Sequence, residues 1–130
     1  MREPQWLLDS VVLAIHTRQL SEHGGMDGVR DSGLLSSALS RPRHAFAYSK
    51  PQPDLATLAA AYAFGIVKNH PFVDGNKRTG YVVSRTFLII NGTDIDTTQE
   101  EKYQAVIALA EGSSSEEQFA NWIRSKLVER

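Results

Sequence analysis

Two apolar helical stretches, one reaching from Asp54 to His70 and one from Lys77 to Asn91, are separated by a single short run, Pro71-Phe72-Val73-Asp74-Gly75-Asn76. The first places Leu55, Leu58, Ala59, Tyr62, Phe64 and Ile66 at helical spacing. The second is apolar on several sides, with Val82, Val83, Phe87, Leu88, Ile89 and Ile90, a pattern that predicts the central, most buried helix of the fold. Pro71 has no N–H and its ring collides with the preceding turn, so the chain must break there. Whatever else the chain does, its core is helical and the break between these two helices is an exposed edge.

The remaining punctuation predicts four more helices. One runs from about Gln5 to Glu22 on an apolar face of Leu8, Val11, Val12 and Ile15, and stops at Gly24-Gly25. The glycine-rich stretch through Gly28 to Arg30 reads as a turn or short hairpin. A second helix from Ser32 to Ser40 is capped by Asp31 and buries Leu34, Leu35, Ala38 and Leu39; Pro42 lies beyond its end, and residues 41–53 read as a loop. Asp94-Ile95-Asp96 suggests a short extended link. Thr97-Thr98-Gln99-Glu100 has capping-box spacing and starts a fifth helix, carrying Tyr103, Val106, Ile107 and Ala110 and ending at Gly112. Ser113-Ser114-Ser115 then precedes a sixth, with Phe119, Trp122, Ile123 and Leu127. There is no internal repeat. The expectation is one all-α domain over residues 1–130, a compact bundle of about six helices with the loop between helices three and four as its functional edge.

Composition narrows the partners. A chain of 130 residues that is 42% hydrophobic can build one core and not two. A formal net charge of −1 and a pI near 6.4 give no broad cationic surface for nucleic acid or an anionic membrane. Without cysteine there are no disulfides or thiolate metal sites, which fits a reducing compartment. The apolar run from Tyr81 to Ile90 is too short to span a bilayer, and Met1-Arg2-Glu3-Pro4-Gln5 has no basic and apolar leader pattern. A cytoplasmic protein is the expected reading.

The loop gathers the groups that phosphoryl or nucleotidyl transfer needs. His70 can accept a proton from an attacking hydroxyl near neutral pH. Asp74 is a hard oxygen ligand of the kind that holds Mg²⁺ against phosphates. Gly75 allows a left-handed backbone and close approach, Asn76 can fix the loop through its amide, and Lys77 and Arg78 offer a point charge and a bidentate fork to phosphate oxygens. Phe72 is expected to point inward. Each residue alone also has a plain reading as helix terminus, turn or solvated first turn. Two cations at a helix N-terminus, however, oppose the helix dipole unless an anion compensates. A phosphate-binding P-loop is excluded, because Asn76-Lys77-Arg78-Thr79 lacks the Gly-Lys pair. A transition-metal site is disfavoured by the scatter of His16, His23 and His44. His16 reads as an ordinary core or surface histidine, while His23 and His44 read as loop residues, the latter where a substrate passes. Trp6, Tyr48, Tyr81 and Trp122 read as packing residues.

His70-Pro71-Phe72-Val73-Asp74-Gly75-Asn76-Lys77-Arg78 resembles the loop of the Fic/Doc superfamily, His-Pro-Phe-x-Asp/Glu-Gly-Asn-Gly/Lys-Arg, at every position. The Gly24 to Leu35 segment, Ala38-Leu39, Arg41-Pro42 and Asn91-Gly92 are similar to the flanks of Doc-like proteins. AMP-transferring Fic proteins usually have glycine where this chain has Lys77, whereas the Doc ("death on curing") branch has lysine. The resemblance therefore implies a toxin of a toxin–antitoxin pair that transfers the terminal phosphate of ATP, with Mg²⁺, to a protein hydroxyl, with elongation factor Tu as target. It implies His70 as general base, Asp74 as metal ligand, and Gly75, Asn76, Lys77 and Arg78 around the nucleotide phosphates. In the superfamily a flap docks the target by strand-like pairing, a role the Gly24–Arg30 stretch shares with the plain reading of an interhelical turn. The inhibitory pattern Ser/Thr-x-x-x-Glu-Gly/Asn fails here, since Ile107 stands four residues before Glu111-Gly112. Restraint is thus expected from a separate, Phd-like antitoxin. Two other readings stay open: a Fic-type nucleotidyltransferase using the same loop, and a non-catalytic module that keeps the loop as an anion site.

Overall fold

In a computed structural model, which describes residues 2–130, the apolar periodicity becomes six helices: α1 (Asp9–His23), α2 (Ser32–Tyr48), α3 (Leu55–Asn69), α4 (Asn76–Ile90), α5 (Gln99–Glu111) and α6 (Glu116–Lys126). Met1, the first residue of the stretch read for a leader, lies outside the described residues. Two three-residue strands, β1 (Thr93–Ile95) and β2 (Leu127–Glu129), pair antiparallel with Ile95 opposite Leu127. The all-α expectation holds, with the loop between α3 and α4 as predicted. No helix among the described residues is long and apolar enough to cross a membrane.

The central helix is α3, not α4. Ten of its 15 residues are buried against eight of 15 in α4, and it packs on α2, α4, α5 and α6. Apolar density in the sequence pointed to α4, but burial on all sides depends on small residues. Ala56, Ala59, Ala60, Ala61 and Ala63 let neighbouring helices close on α3, whereas α4 leaves Arg85 and Ile90 exposed. At Gly65 a Cβ would stand 2.9 Å from the Cβ of Ala38 and 3.0 Å from its Cα, so the α2–α3 contact is backbone against backbone.

α2 also runs past Pro42 to Tyr48 instead of ending near Ser40. A proline inside a helix removes one hydrogen bond and costs about 3 kcal/mol or more. Here Pro42 is buried and the added turns have their own partners. Phe46 meets Trp6 edge-on at 5.8 Å, Arg41 lies 4.7 Å from the Phe64 ring centroid, and Arg41 pairs with Glu116. Tertiary packing overrides the local signal.

The first helix starts later and faces differently than its pattern suggests. Gln5 exchanges two hydrogen bonds with the Asn91 side chain (2.8 and 3.0 Å), Trp6 stacks on Phe87, and Leu7 N–H donates to the Tyr62 hydroxyl. The segment before Asp9 is thus an anchored strap. The buried face of α1 is Val12, His16 and Gln19, while Leu8 and Val11 are exposed. Caps fall close to expectation: Asp31 accepts from Leu34 N–H, and Ser115 and Gln118 form a capping box. The α5 box is Thr98 with Glu101, one residue beyond the predicted pair. Asp54 caps α3 and accepts two hydrogen bonds from Arg124 of α6, which hold its carboxyl well below the ordinary carboxylate range.

Gly65→Ala tests the α2–α3 contact. Alanine improves helix propensity by about 1 kcal/mol, but overpacking a close backbone contact costs about 1–3 kcal/mol and offers no flexible atom to move. Denaturant unfolding should show a net loss of stability; a variant as stable as the parent would contradict the contact.

Candidate functional site

The site begins where α3 ends. His70 caps the helix in the left-handed region (φ 50°, ψ 55°) and is the one non-glycine residue with positive φ among the described residues. Such a conformation costs about 1–3 kcal/mol and persists only where surrounding contacts impose it. Arg30 supplies them: its Nε donates to the His70 carbonyl at 2.7 Å and its Nη2 to that of Asn69 at 2.8 Å. A guanidinium there satisfies carbonyls the helix leaves unpaired and complements the negative end of the dipole. Backbone N–H groups of Arg30 and Asp31 both donate to Pro71 O, Val73 N–H donates to Gly28 O, and Val29 and Phe72 form an antiparallel bridge. The glycine-rich stretch is therefore no self-contained hairpin. It lies against the loop as a partner strand.

Beneath the loop, Phe72 is fully buried, as predicted. The ring of His16 stacks on it (3.8 Å between centroids, 9° between planes), and His16 Nε2–H donates to the Asp74 carbonyl at 2.8 Å. Asn76, 6% exposed, grips the same residue from the other side. Its Oδ1 accepts from Phe72 N–H and its Nδ2 donates to Phe72 O, both at 3.0 Å. Flipping the amide would break both bonds, so its orientation is fixed by chemistry. That orientation turns Nδ2 toward His70 Nδ1 at 3.5 Å, a contact too long to fix the histidine's tautomer.

The loop empties into the N-terminus of α4. Gly75 is the cap residue, left-handed at φ 78°, and no side chain caps the helix. The backbone N–H groups of Asn76, Lys77 and Arg78 have no hydrogen-bond acceptor among the described residues, the first loop-to-helix bond being Thr79 N–H to Gly75 O. Lys77 is exposed with no side-chain partner among the described residues, and Arg78 Nη2 reaches the Gly24 carbonyl at 3.3 Å. Asp74 accepts from Met26 N–H on Oδ2 at 2.8 Å, and Oδ1 has no hydrogen-bond partner among the described residues. Gly25 makes that approach possible, since a Cβ there would meet Leu20 Cδ2 at 2.9 Å and Asp74 Cβ at 3.2 Å. Three free N–H donors, the dipole's positive end and two cations form an anion cradle with a carboxylate beside it.

The cradle opens into a cleft of about 850 Å³ whose other walls come from α1 and α5. Asp74, Gly75, Asn76, Lys77 and Arg78 line it, and the exposed His70 adjoins it with Nδ1 3.5 Å from the Asn76 side chain. Asn76 fixes the loop through its side-chain amide, as its residue type suggests, and its backbone N–H is left unbonded among the described residues. Tyr81 lies under the cleft, where burial pushes its phenol above the usual range and Lys102 Nζ sits 5.2 Å from its ring. No cluster of three potential metal-ligating side chains occurs among the described residues.

Several residues fall elsewhere than their sequence context suggests. His23 is the last residue of α1 and lines the cleft, and His44 lies within α2, tilted against Tyr48 at 5.6 Å and outside the cleft. Tyr48 is 79% exposed and so is no packing residue. Tyr103, placed on the apolar face of the fifth helix, is 67% exposed. Arg30 and the supporting role of His16 were missed altogether. Each acts on a partner some 40 or more residues away, at 2.7 and 2.8 Å respectively, with nothing local to mark it.

The structure is a helical domain whose histidine-ended helix passes through a clamped loop into an uncapped, cationic helix N-terminus. The chain belongs to the Fic/DOC family, whose model matches residues 6–88. It is 43% identical over 72 residues to "Toxin Doc" of Mycolicibacterium smegmatis (strain ATCC 700084 / mc(2)155), covering 55% of each chain. It is 30% identical over 89 residues to "Protein kinase doc" of Escherichia phage P1, covering 68% of this chain and 70% of that one. The chain thus spans about half the length of the first relative, and within the family its likeness is to the Doc branch.

Asn76→Ala leaves both buried Phe72 backbone groups without partners, at about 1–3 kcal/mol for each group. The variant should lose stability and exchange its Phe72 amide faster by hydrogen-exchange NMR. Unchanged protection at Phe72 would show that the clamp is dispensable.

Proposed function

We propose that the protein is a Doc-type toxin of a type II toxin–antitoxin system, a cytoplasmic protein kinase that transfers the γ-phosphate of ATP to a hydroxyl of elongation factor Tu and is restrained by a Phd-like antitoxin. The observation that carries the reading is the uncapped start of α4, where Lys77 stands with three free N–H groups next to Asp74. The names of the two relatives support it.

In this reading the first turn of α4, with Lys77 and Arg78, holds the nucleotide phosphates and offsets their charge. The acceptor hydroxyl is placed between His70 and the terminal phosphate. As its oxygen bonds to the γ-phosphorus, the hydroxyl proton passes to His70, the bond between that phosphorus and the β–γ bridging oxygen breaks, and ADP leaves. Catalysis is then chiefly positioning and electrostatic stabilisation. Arg30 and Asn76 fix the two ends of the loop and so the spacing between base and phosphate. The free Oδ1 of Asp74 suits Mg²⁺, which takes one or two carboxylates with phosphate and water oxygens for the rest. Bound there, Mg²⁺ would neutralise phosphate charge. A Fic-type nucleotidyltransferase would use the same cradle with the α-phosphate presented instead.

Incubation with elongation factor Tu, Mg²⁺ and ATP labelled at the α- or γ-phosphorus separates these readings. Label from the γ position alone is the expected result; label from the α position would make the chain a nucleotidyltransferase, and none from either would overturn both. His70→Ala should lower transfer by about 100-fold or more with the fold and nucleotide binding intact. A non-catalytic module would tolerate it. Lys77→Gly should reduce γ-transfer and is the substitution able to unmask α-transfer.

A further inference from the structure

The α1 wall of the cleft carries one buried polar side chain that nothing in the protein satisfies. Gln19 is 8% exposed and lines the cavity together with Asp74 and Gly75. Its side-chain amide has no hydrogen-bond partner among the described residues. Buried polar groups in folded proteins are paired in the large majority of cases, so an unpaired one calls for an explanation. Among the described residues, the side-chain polar atom both sealed from solvent and unpaired is Thr79 Oγ1, which excludes the Gln19 amide from the sealed set. What that amide meets is the cavity. Its place along the wall follows from its neighbours. His16 and Leu20 share its face of α1, and a Cβ at Gly75 would meet Leu20 Cδ2 at 3.4 Å and the His16 ring at 3.8 Å. Gly75 is the cap residue of α4, so this face of α1 closes on the helix start where three N–H groups are unbonded.

We infer that Gln19 is a further phosphate contact, its Nε2–H₂ donating to an oxygen of the phosphate chain held at the first turn of α4. The inference rests on the nucleotide reading above and adds to it a residue from a different helix, outside the loop. Two arguments lead to it. A phosphate oxygen at the α4 start supplies the acceptor that the protein withholds from this amide, and a charged acceptor makes the stronger hydrogen bond. The residue type also fits its surroundings. Asp74 lines the same part of the cavity with Oδ1 unpaired among the described residues. A lysine or arginine at position 19 would compete for that carboxylate, whereas a glutamine brings two N–H donors and no charge, leaving Asp74 free. Lys77 and Arg78 supply the positive charge, and Gln19 supplies direction from the opposite element.

Gln19→Met and Gln19→Leu both remove the amide at similar volume, so either serves if the other packs poorly. Calorimetric affinities of the full chain for Mg²⁺–ATP and for Mg²⁺–tripolyphosphate, which shares the phosphates and lacks the nucleoside, are measured beside the denaturant midpoint of the unliganded chain. The variants should bind both ligands about tenfold more weakly and by the same factor. Their unliganded midpoint should equal or exceed the parent's, because an unpaired buried amide has given way to an apolar group. A structural glutamine gives the reverse, a lowered midpoint with both affinities unchanged, and that result overturns the contact while leaving the cradle in place. Weaker ATP binding with tripolyphosphate binding unchanged assigns the amide to the nucleoside and overturns it equally. A parent chain that binds neither ligand overturns the contact and the nucleotide reading together.

Discussion

A single buried amide holds the loop that gives this protein its chemistry. Asn76 occupies the first position of α4, yet its side chain points back to bond both backbone groups of Phe72, four residues earlier. That pairing makes the break between two buried helices a fixed geometry rather than a flexible hinge. From it follow the burial of Phe72, the left-handed turn at Gly75 and the exposure of three unbonded N–H groups at the helix start. The helix forgoes an ordinary cap because its cap residue, Gly75, has no side chain, and the resulting positive terminus carries Lys77 and Arg78 instead of the acidic residues that usually stabilise such a turn. An anion bound there would restore the local stability that this turn gives up.

The clamp does not act alone. His16 stacks beneath Phe72 and anchors the Asp74 carbonyl, while Arg30 crosses to the end of α3 and ties down the carbonyls of Asn69 and His70. The glycine-rich stretch between α1 and α2 serves as the loop's partner, joined to it by backbone bonds at Gly28, Arg30 and Asp31 and by Met26 N–H to Asp74. A change in that stretch is therefore felt at both His70 and Asp74. The strand-like pairing available there is already partly used within the chain itself.

Much of this was legible from residue order. Pro71 and Gly75 bracket the break, and Phe72 between polar neighbours reads as the buried anchor. Caps were legible because they are local, a side chain bonding a backbone group three positions away. Interactions that bridge distant segments were not: Arg30 with α3, His16 with the loop, and the strap before α1 all depend on packing. The helices erred in the same way. Pro42 signals a stop that contacts with Trp6, Phe64 and Glu116 override, and the alanines of α3 look less like a core than the large residues of α4 although they permit closer packing on more sides. Tyr103 shows the converse, an aromatic at core spacing that the fold leaves facing the cleft.

The central claim is that the first turn of α4 receives an anion, and it can be read directly from the amides concerned. In a ¹⁵N-labelled sample titrated with Mg²⁺–ADP, the account predicts that the largest shifts fall on the backbone N–H groups of Asn76, Lys77 and Arg78 and saturate together. Shifts concentrated elsewhere with these three amides unmoved would contradict it, because the cations at this helix start would then have some purpose other than holding phosphate.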